Sequence, residues 1–224
     1  MLKHLPNLLT CCNLICGCLG IIFLWDGQHI ATAYFVWAAC IFDFFDGFAA
    51  RMLKISSPIG KELDSMADII SFGALPALFM YKLLEFESPV PYLPYLGILI
   101  AVCSGIRLAV FNLDETQSDA FKGLPTPANA IFITGLPFLE GSFFDFVFSP
   151  LVLAAITIIF SLLLVSRIDL FALKFKNFTW ASNKIRFTFL LLSVLLLAAL
   201  QLAALPLIII LYILLSLGNR MFAS

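Results

Sequence analysis

Long apolar runs recur along this chain, and they constrain its fold more than any other feature. A helix needs about 20 predominantly apolar residues to cross the hydrocarbon of a bilayer, where every backbone N–H and C=O must find its partner inside the protein. Such runs occur at about 8–25, 30–50, 64–84, 92–111, 125–139, 148–165, 187–203 and 205–217, the fifth being the weakest. With 62% of its 224 residues hydrophobic and 12% charged, the chain carries more apolar surface than a soluble domain can hide. These observations predict an all-α fold, a polytopic transmembrane helical bundle of about eight spans. No internal repeat, long linker or low-complexity tract divides it. The expectation is one integral-membrane domain over 1–224, with a catalytic core at about 1–165 and additional C-terminal spans at about 187–217.

The first run has the outline of a signal peptide, with Lys3 and His4 ahead of it. It lacks a small-residue cleavage site and carries Pro6, Asn7 and Thr10 at its start, so it reads as a retained helix. Eight spans place both termini on one side, and basic residues pick that side. Of the 13 lysines and arginines, only Lys82 falls toward the opposite face. Both ends are therefore expected in the cytoplasm, in the inner membrane. Nothing resembles a basic nucleic-acid patch, and no nucleic-acid partner is expected. The 6 cysteines all lie in apolar runs without histidine partners, which favours small buried side chains over a metal or disulfide framework.

Against this background the stretch from Asp43 to Asp68 is out of place. It holds Asp43, Asp46, Asp64 and Asp68 in two spans of otherwise apolar character. An ionised carboxylate in hydrocarbon costs several kcal/mol or more unless it is paired, and such residues are functional by default. The spacings are three and four, so each pair projects from one helix face, with Gly47 and Ala50 leaving room beside the first. Ser57-Pro58 reads as a helix start. Counting from Arg51 and from that start sets both pairs at similar depth, about 8–15 Å inside the cytoplasmic boundary.

Only Arg51 and Lys61 lie near enough in sequence to pair with four acids. Two Mg²⁺ or Mn²⁺ ions would neutralise them, since hard cations prefer oxygen-rich sites. Two such ions clamp the attacking and leaving oxygens of a phosphoryl transfer, and a carboxylate can accept the nucleophile's proton. Arg51 is placed to meet a phosphate or diphosphate. Arg107 either snorkels to the interface or faces the cavity, where it would bind a phosphate or a carboxylate, with Asn112 beside it. A cation transporter would also use buried acids, but it usually breaks helices at mid-membrane and repeats itself.

The residues Asp43, Asp46, Gly47, Ala50, Arg51, Gly60, Asp64 and Asp68 meet every fixed position of D-x2-D-G-x2-A-R-x8-G-x3-D-x3-D. On them the chain resembles the CDP-alcohol phosphotransferase family. Pro6-Asn7-Leu-Leu-Thr10, Arg107-Leu-Ala-Val-Phe-Asn112 and Phe121-Lys-Gly123-Leu-Pro125-Thr-Pro127-Ala128 are similar to its phosphatidylserine synthase branch, with Val110 standing where a basic residue is expected. The resemblance implies a donor, CDP-diacylglycerol, and an acceptor, L-serine, with CMP released at the cytoplasmic leaflet. It implies that the four aspartates hold two divalent cations, Mg²⁺ or Mn²⁺, and that Asp68 is also the catalytic proton acceptor. Gly47, Arg51 and Ser57, with Asn7 and Thr10, would bind CDP-diacylglycerol, and Arg107 and Asn112 the serine or a phosphate. A homodimer is also implied. The nearest rival keeps the chemistry and changes the acceptor to glycerol 3-phosphate, inositol phosphate or choline, or the donor to an ether lipid. The aspartate-rich prenyltransferases lack this Gly-x2-Ala-Arg spacing.

Overall fold

The computed structural model describes residues 4–54, 57–113, 120–141, 143–171, 173 and 179–223. Among them the chain is helical almost throughout. Helix α1 (Leu5–Trp25) turns at Gly27 into α2 (His29–Leu53), and the two pack along each other. Lys54 ends α2 in the left-handed conformation, φ 53°, its N–H capping the Ala50 and Arg51 carbonyls. Helix α3 (Pro58–Asp68) then starts as expected. Ser57 is its N-cap, accepting the Gly60 N–H at 3.0 Å, with Pro58 in the first turn.

Helix α3 does not run on as a regular α-helix. Residues Ile69–Ala74 form a wide π-turn, in which Leu75 N–H reaches back five residues to Ile70 O, before α4 (Leu75–Glu87). Pro76 supplies a reason. It has no N–H, and in an α-helix its ring would press on the carbonyl four residues back, at Phe72. The third apolar run is still one span, Pro58–Glu87, with this wide turn inside it directly after Asp68. The π-turn and α4 form the centre of the bundle, with Phe72, Leu75, Phe79, Met80 and Leu84 wholly buried.

A short 3₁₀ segment (Leu93–Gly97) leads into α5 (Ile98–Leu113), which packs on α7 (Pro150–Val165). Helix α6 (Thr126–Gly135), extended by a 3₁₀ turn to Leu139, lies against α2 and α9. At 1.5–2.0 Å per residue its 14 residues fall short of a bilayer's hydrocarbon, about 30 Å. Strands β1 (Ala120–Lys122) and β2 (Asp169–Phe171) pair antiparallel, Phe121 opposite Leu170, a ribbon the apolar pattern did not signal. The chain closes with α8 (Trp180–Leu200) and α9 (Ala204–Ala223), which pack on each other across a break at Gln201, φ 51°.

Among the described residues five stretches are long and apolar enough to cross a membrane by themselves, one of them the α8–α9 pair taken together (Asn183–Gly218), and α6 and α7 are shorter apolar helices. This is an integral membrane protein. The eight expected runs correspond to α1, α2, α3–α4, α5, α6, α7, α8 and α9.

Candidate active site

The two aspartate-bearing helices face each other, an arrangement that the shared face and similar depth of each pair allow. One carboxylate oxygen each from Asp43 on α2 and from Asp64 and Asp68 on α3 lie within 4.8 Å of one another. Asp46, one turn beyond Asp43, is buried and stands outside this trio. Its Oδ2 accepts the Thr10 hydroxyl of α1 at 2.7 Å. Asp68 Oδ1 accepts the Asn13 amide at 3.1 Å. Among the described residues Asp64 Oδ1 is buried with no hydrogen-bond partner, and none of the four acids forms an ion pair.

Converging, half-buried carboxylates without counter-charge repel one another and lose hydration together. The donor set is all oxygen and anionic, and one buried oxygen is unclaimed. That arrangement fits a hard divalent cation.

The four aspartates line a cavity of about 420 Å³ with Arg51, Ser65, Arg107, Asn112 and Thr126. A second hollow of about 220 Å³ adjoins it, sharing Asp46, Gly47 and Asp64, and is lined also by Asn7, Thr10, Ser57, Gly60 and Lys61. The structure thus brings the five expected nucleotide contacts to the two cavities. Asn7, Thr10 and Ser57 line the smaller, Arg51 the larger, and Gly47 both. Thr10 is nearly inaccessible, and its hydroxyl is spent on Asp46. At Gly60 an added Cβ would come within 3.0 Å of Asn7 Oδ1 and 2.9 Å of Ser57 Oγ, so a glycine lets the α1 and α3 starts close together.

Arg107 does not snorkel. Its Nη1 donates to the Lys122 carbonyl at 2.7 Å and the Leu164 carbonyl at 3.2 Å, tying β1 to the end of α7 while the side chain lines the aspartate cavity. Gly123 makes this possible. It has φ +74°, and a Cβ there would lie 2.7 Å from Ser166 O and 2.9 Å from Arg107 Nη1. A further hollow of about 480 Å³, lined by Arg107, Phe111, Lys122, Arg167 and Asp169, opens on the other side of Arg107. Asn112 donates to Ser65 Oγ at 2.7 Å, and its carbonyl accepts from Lys61 Nζ at 2.9 Å, which fixes the end of α5 against α3.

Sequence reasoning passed over Asn13, Ser65 and Thr126. Asn13 was legible in principle, as an amide in an apolar span three residues beyond Thr10 and on the same face.

A family model described as CDP-alcohol phosphatidyltransferase matches residues 3–218. The chain belongs to that family. Among its relatives is the CDP-diacylglycerol–serine O-phosphatidyltransferase of Bacillus subtilis (strain 168), 33% identical over 171 residues, 75% of this chain and 89% of the relative. The protein of the same name from Mycobacterium leprae is 36% identical over 149 residues, 63% of this chain and 49% of the relative. The archaetidylserine synthase of Methanothermobacter thermautotrophicus is 35% identical over 170 residues, 74% and 68% respectively. The matched region takes in the whole aspartate site, both of the cavities that its acids line and the β1–β2 ribbon.

Proposed function

We propose that the protein transfers the phosphatidyl group of CDP-diacylglycerol to the hydroxyl of L-serine and releases CMP. The observation that carries this reading is the convergence of Asp43, Asp64 and Asp68 at a cavity bordered by Arg51 and Arg107, in a chain similar along most of its length to a serine phosphatidyltransferase. Asp43, Asp46, Asp64 and Asp68 would hold two divalent cations, Mg²⁺ or Mn²⁺. When bound, these supply electrostatic stabilisation of the phosphoryl oxygens and of the departing CMP.

The remaining work belongs to the chain's own side chains. Asn7, Thr10, Gly47 and Ser57 form the wall against which the nucleotide rests, and Arg51 meets its diphosphate with a planar, permanently charged fork. Arg107 and Asn112, which line the same cavity as Arg51, receive the serine carboxylate. Asp68 accepts the proton of the serine hydroxyl as its oxygen bonds to the phosphorus on the diacylglycerol side. The diphosphate P–O bond to CMP breaks in the same exchange. Diacylglycerol remains in the bilayer throughout. The bias of basic residues supports an orientation with both termini and the site at the cytoplasmic leaflet of the inner membrane, and family resemblance supports a homodimer.

Purified protein with Mn²⁺ or Mg²⁺ should release CMP from CDP-diacylglycerol only when L-serine is present. A panel of glycerol 3-phosphate, inositol phosphate and choline, with an ether-linked CDP-lipid as second donor, identifies the substrate pair. Release that follows another acceptor, and not serine, would defeat the serine assignment while leaving the family chemistry intact.

A further inference from the structure

Asn13 lies in the middle of α1, wholly buried in a helix that is otherwise among the most apolar in the molecule. It touches the site from behind. Its side-chain Nδ2 donates to Asp68 Oδ1 at 3.1 Å, and its backbone carbonyl accepts the Ser71 hydroxyl at 3.0 Å. Ser71 belongs to the π-turn, three residues past Asp68. One residue of α1 is therefore joined to the Asp68 helix at two places, above and below the point where that helix widens.

The close approach is prepared by Gly17, one turn further along α1. A Cβ there would collide with Ser71 Oγ and sit 3.1 Å from Ser71 Cα. Asn13 Oδ1 has no partner among the described residues. A buried carbonyl oxygen left unpaired is destabilising, so structural economy alone would favour an apolar side chain here. What Asn13 offers in return is an N–H that takes one oxygen of Asp68.

We propose that Asn13 is the positioning residue for Asp68: the amide holds Oδ1 and so fixes the carboxylate's rotation, leaving the second oxygen to the cavity, while Ser71 holds the Asn13 backbone in place. The inference rests on the reading of Asp68 as proton acceptor. A carboxylate on a π-turn boundary has a less regular helix beneath it than one inside an α-helix, which is why an external guide is useful at this position and not at Asp64.

The test uses Asn13→Leu, which is close in size and removes the unpaired oxygen, with Asn13→Ser as a second variant should the first fail to fold. Serine-dependent CMP release at saturating metal should show kcat lowered about 10- to 100-fold, with KM for both substrates within about threefold. Mn²⁺ affinity, read by electron paramagnetic resonance without substrates, should weaken by about tenfold, and the thermal unfolding midpoint should hold or rise. Ser71→Ala should lower kcat a few-fold in the same pattern. Asn13→Leu combined with Asp68→Asn should be no slower than Asp68→Asn alone, since the two act as a unit. If Asp68→Asn is inactive but folded Asn13 variants keep kcat and Mn²⁺ affinity within about twofold, the positioning role is overturned and the acceptor reading survives. If Asp68→Asn itself keeps full activity, the acceptor reading falls first. A lower midpoint with unchanged kcat per folded molecule would make Asn13 a packing residue and also overturn the inference.

Discussion

Helix α3–α4 and the α8–α9 hairpin occupy the same solvent and have opposite surroundings. Of the most apolar window in Pro58–Glu87, 56% of residues are buried inside the protein, against 11% in Asn183–Gly218. The less hydropathic segment is the more enclosed one. In water the order would be reversed. In a bilayer the apolar surface is already at home against lipid, so interior positions go to the residues that lipid cannot satisfy: carboxylates, amides, hydroxyls and the small residues that let backbones approach. Burial here marks chemistry.

Mutations should break that comparison in a definite order. Asp68→Asn in the central helix should lower serine-dependent CMP release by about 10²- to 10⁴-fold, the usual range for a lost proton acceptor, with little change in thermal midpoint. Chelation by EDTA should match or exceed that loss and be reversed by added Mn²⁺ or Mg²⁺. A chelated preparation that stayed active would remove the cation from the account.

Gly123→Ala acts on the frame and not on the acids. With φ at +74° and backbone oxygens 2.7–2.8 Å from the new Cβ, it should destabilise the fold by about 1–3 kcal/mol. It should also displace Arg107, so KM for serine should rise in whatever protein folds; an unchanged KM would separate Arg107 from acceptor binding. Thr10→Val keeps size and removes the hydroxyl that Asp46 accepts. A hydrogen bond to a charged group contributes about 1.5–3 kcal/mol, so metal affinity should fall about tenfold or somewhat more in a titration. At the far end of the scale, Leu214→Ala on the exposed face of α9 should move stability by less than about 0.5 kcal/mol and leave activity alone. A loss comparable with Thr10→Val would mean that this face is covered by protein and not by lipid.

How much of this was legible beforehand follows the same division. The spans could be read because lipid demands long apolar helices, and the site because carboxylates are conspicuous among them. Asp64 and Asp68 share a face as their four-residue spacing requires and meet Asp43, whereas Asp46, three residues beyond Asp43, stands outside the trio against Thr10. Features set by local geometry were harder to see. A π-turn differs from an α-turn by one residue, and Ile69–Ala74 carries no compositional mark beyond the nearby Pro76. Three-residue strands between helices give too few alternations to show a period of two. Arg107 illustrates the limit most directly. Its place in the sequence allowed a cavity or an interface, and only the carbonyls of Lys122 and Leu164 explain why it is held inside.

The bonds from Thr10 and Asn13 also bear on how the molecule is made. Helix α1 leaves the ribosome before α2 and α3, yet two of its polar groups, Thr10 and Asn13, are matched by acids on those later helices. Released singly into lipid, α1 would face hydrocarbon with an unmatched amide, and α2 and α3 would do so with bare acids. Helices α1, α2 and α3 are therefore best delivered to the bilayer as one packet, each arriving with the partners that its polar groups need.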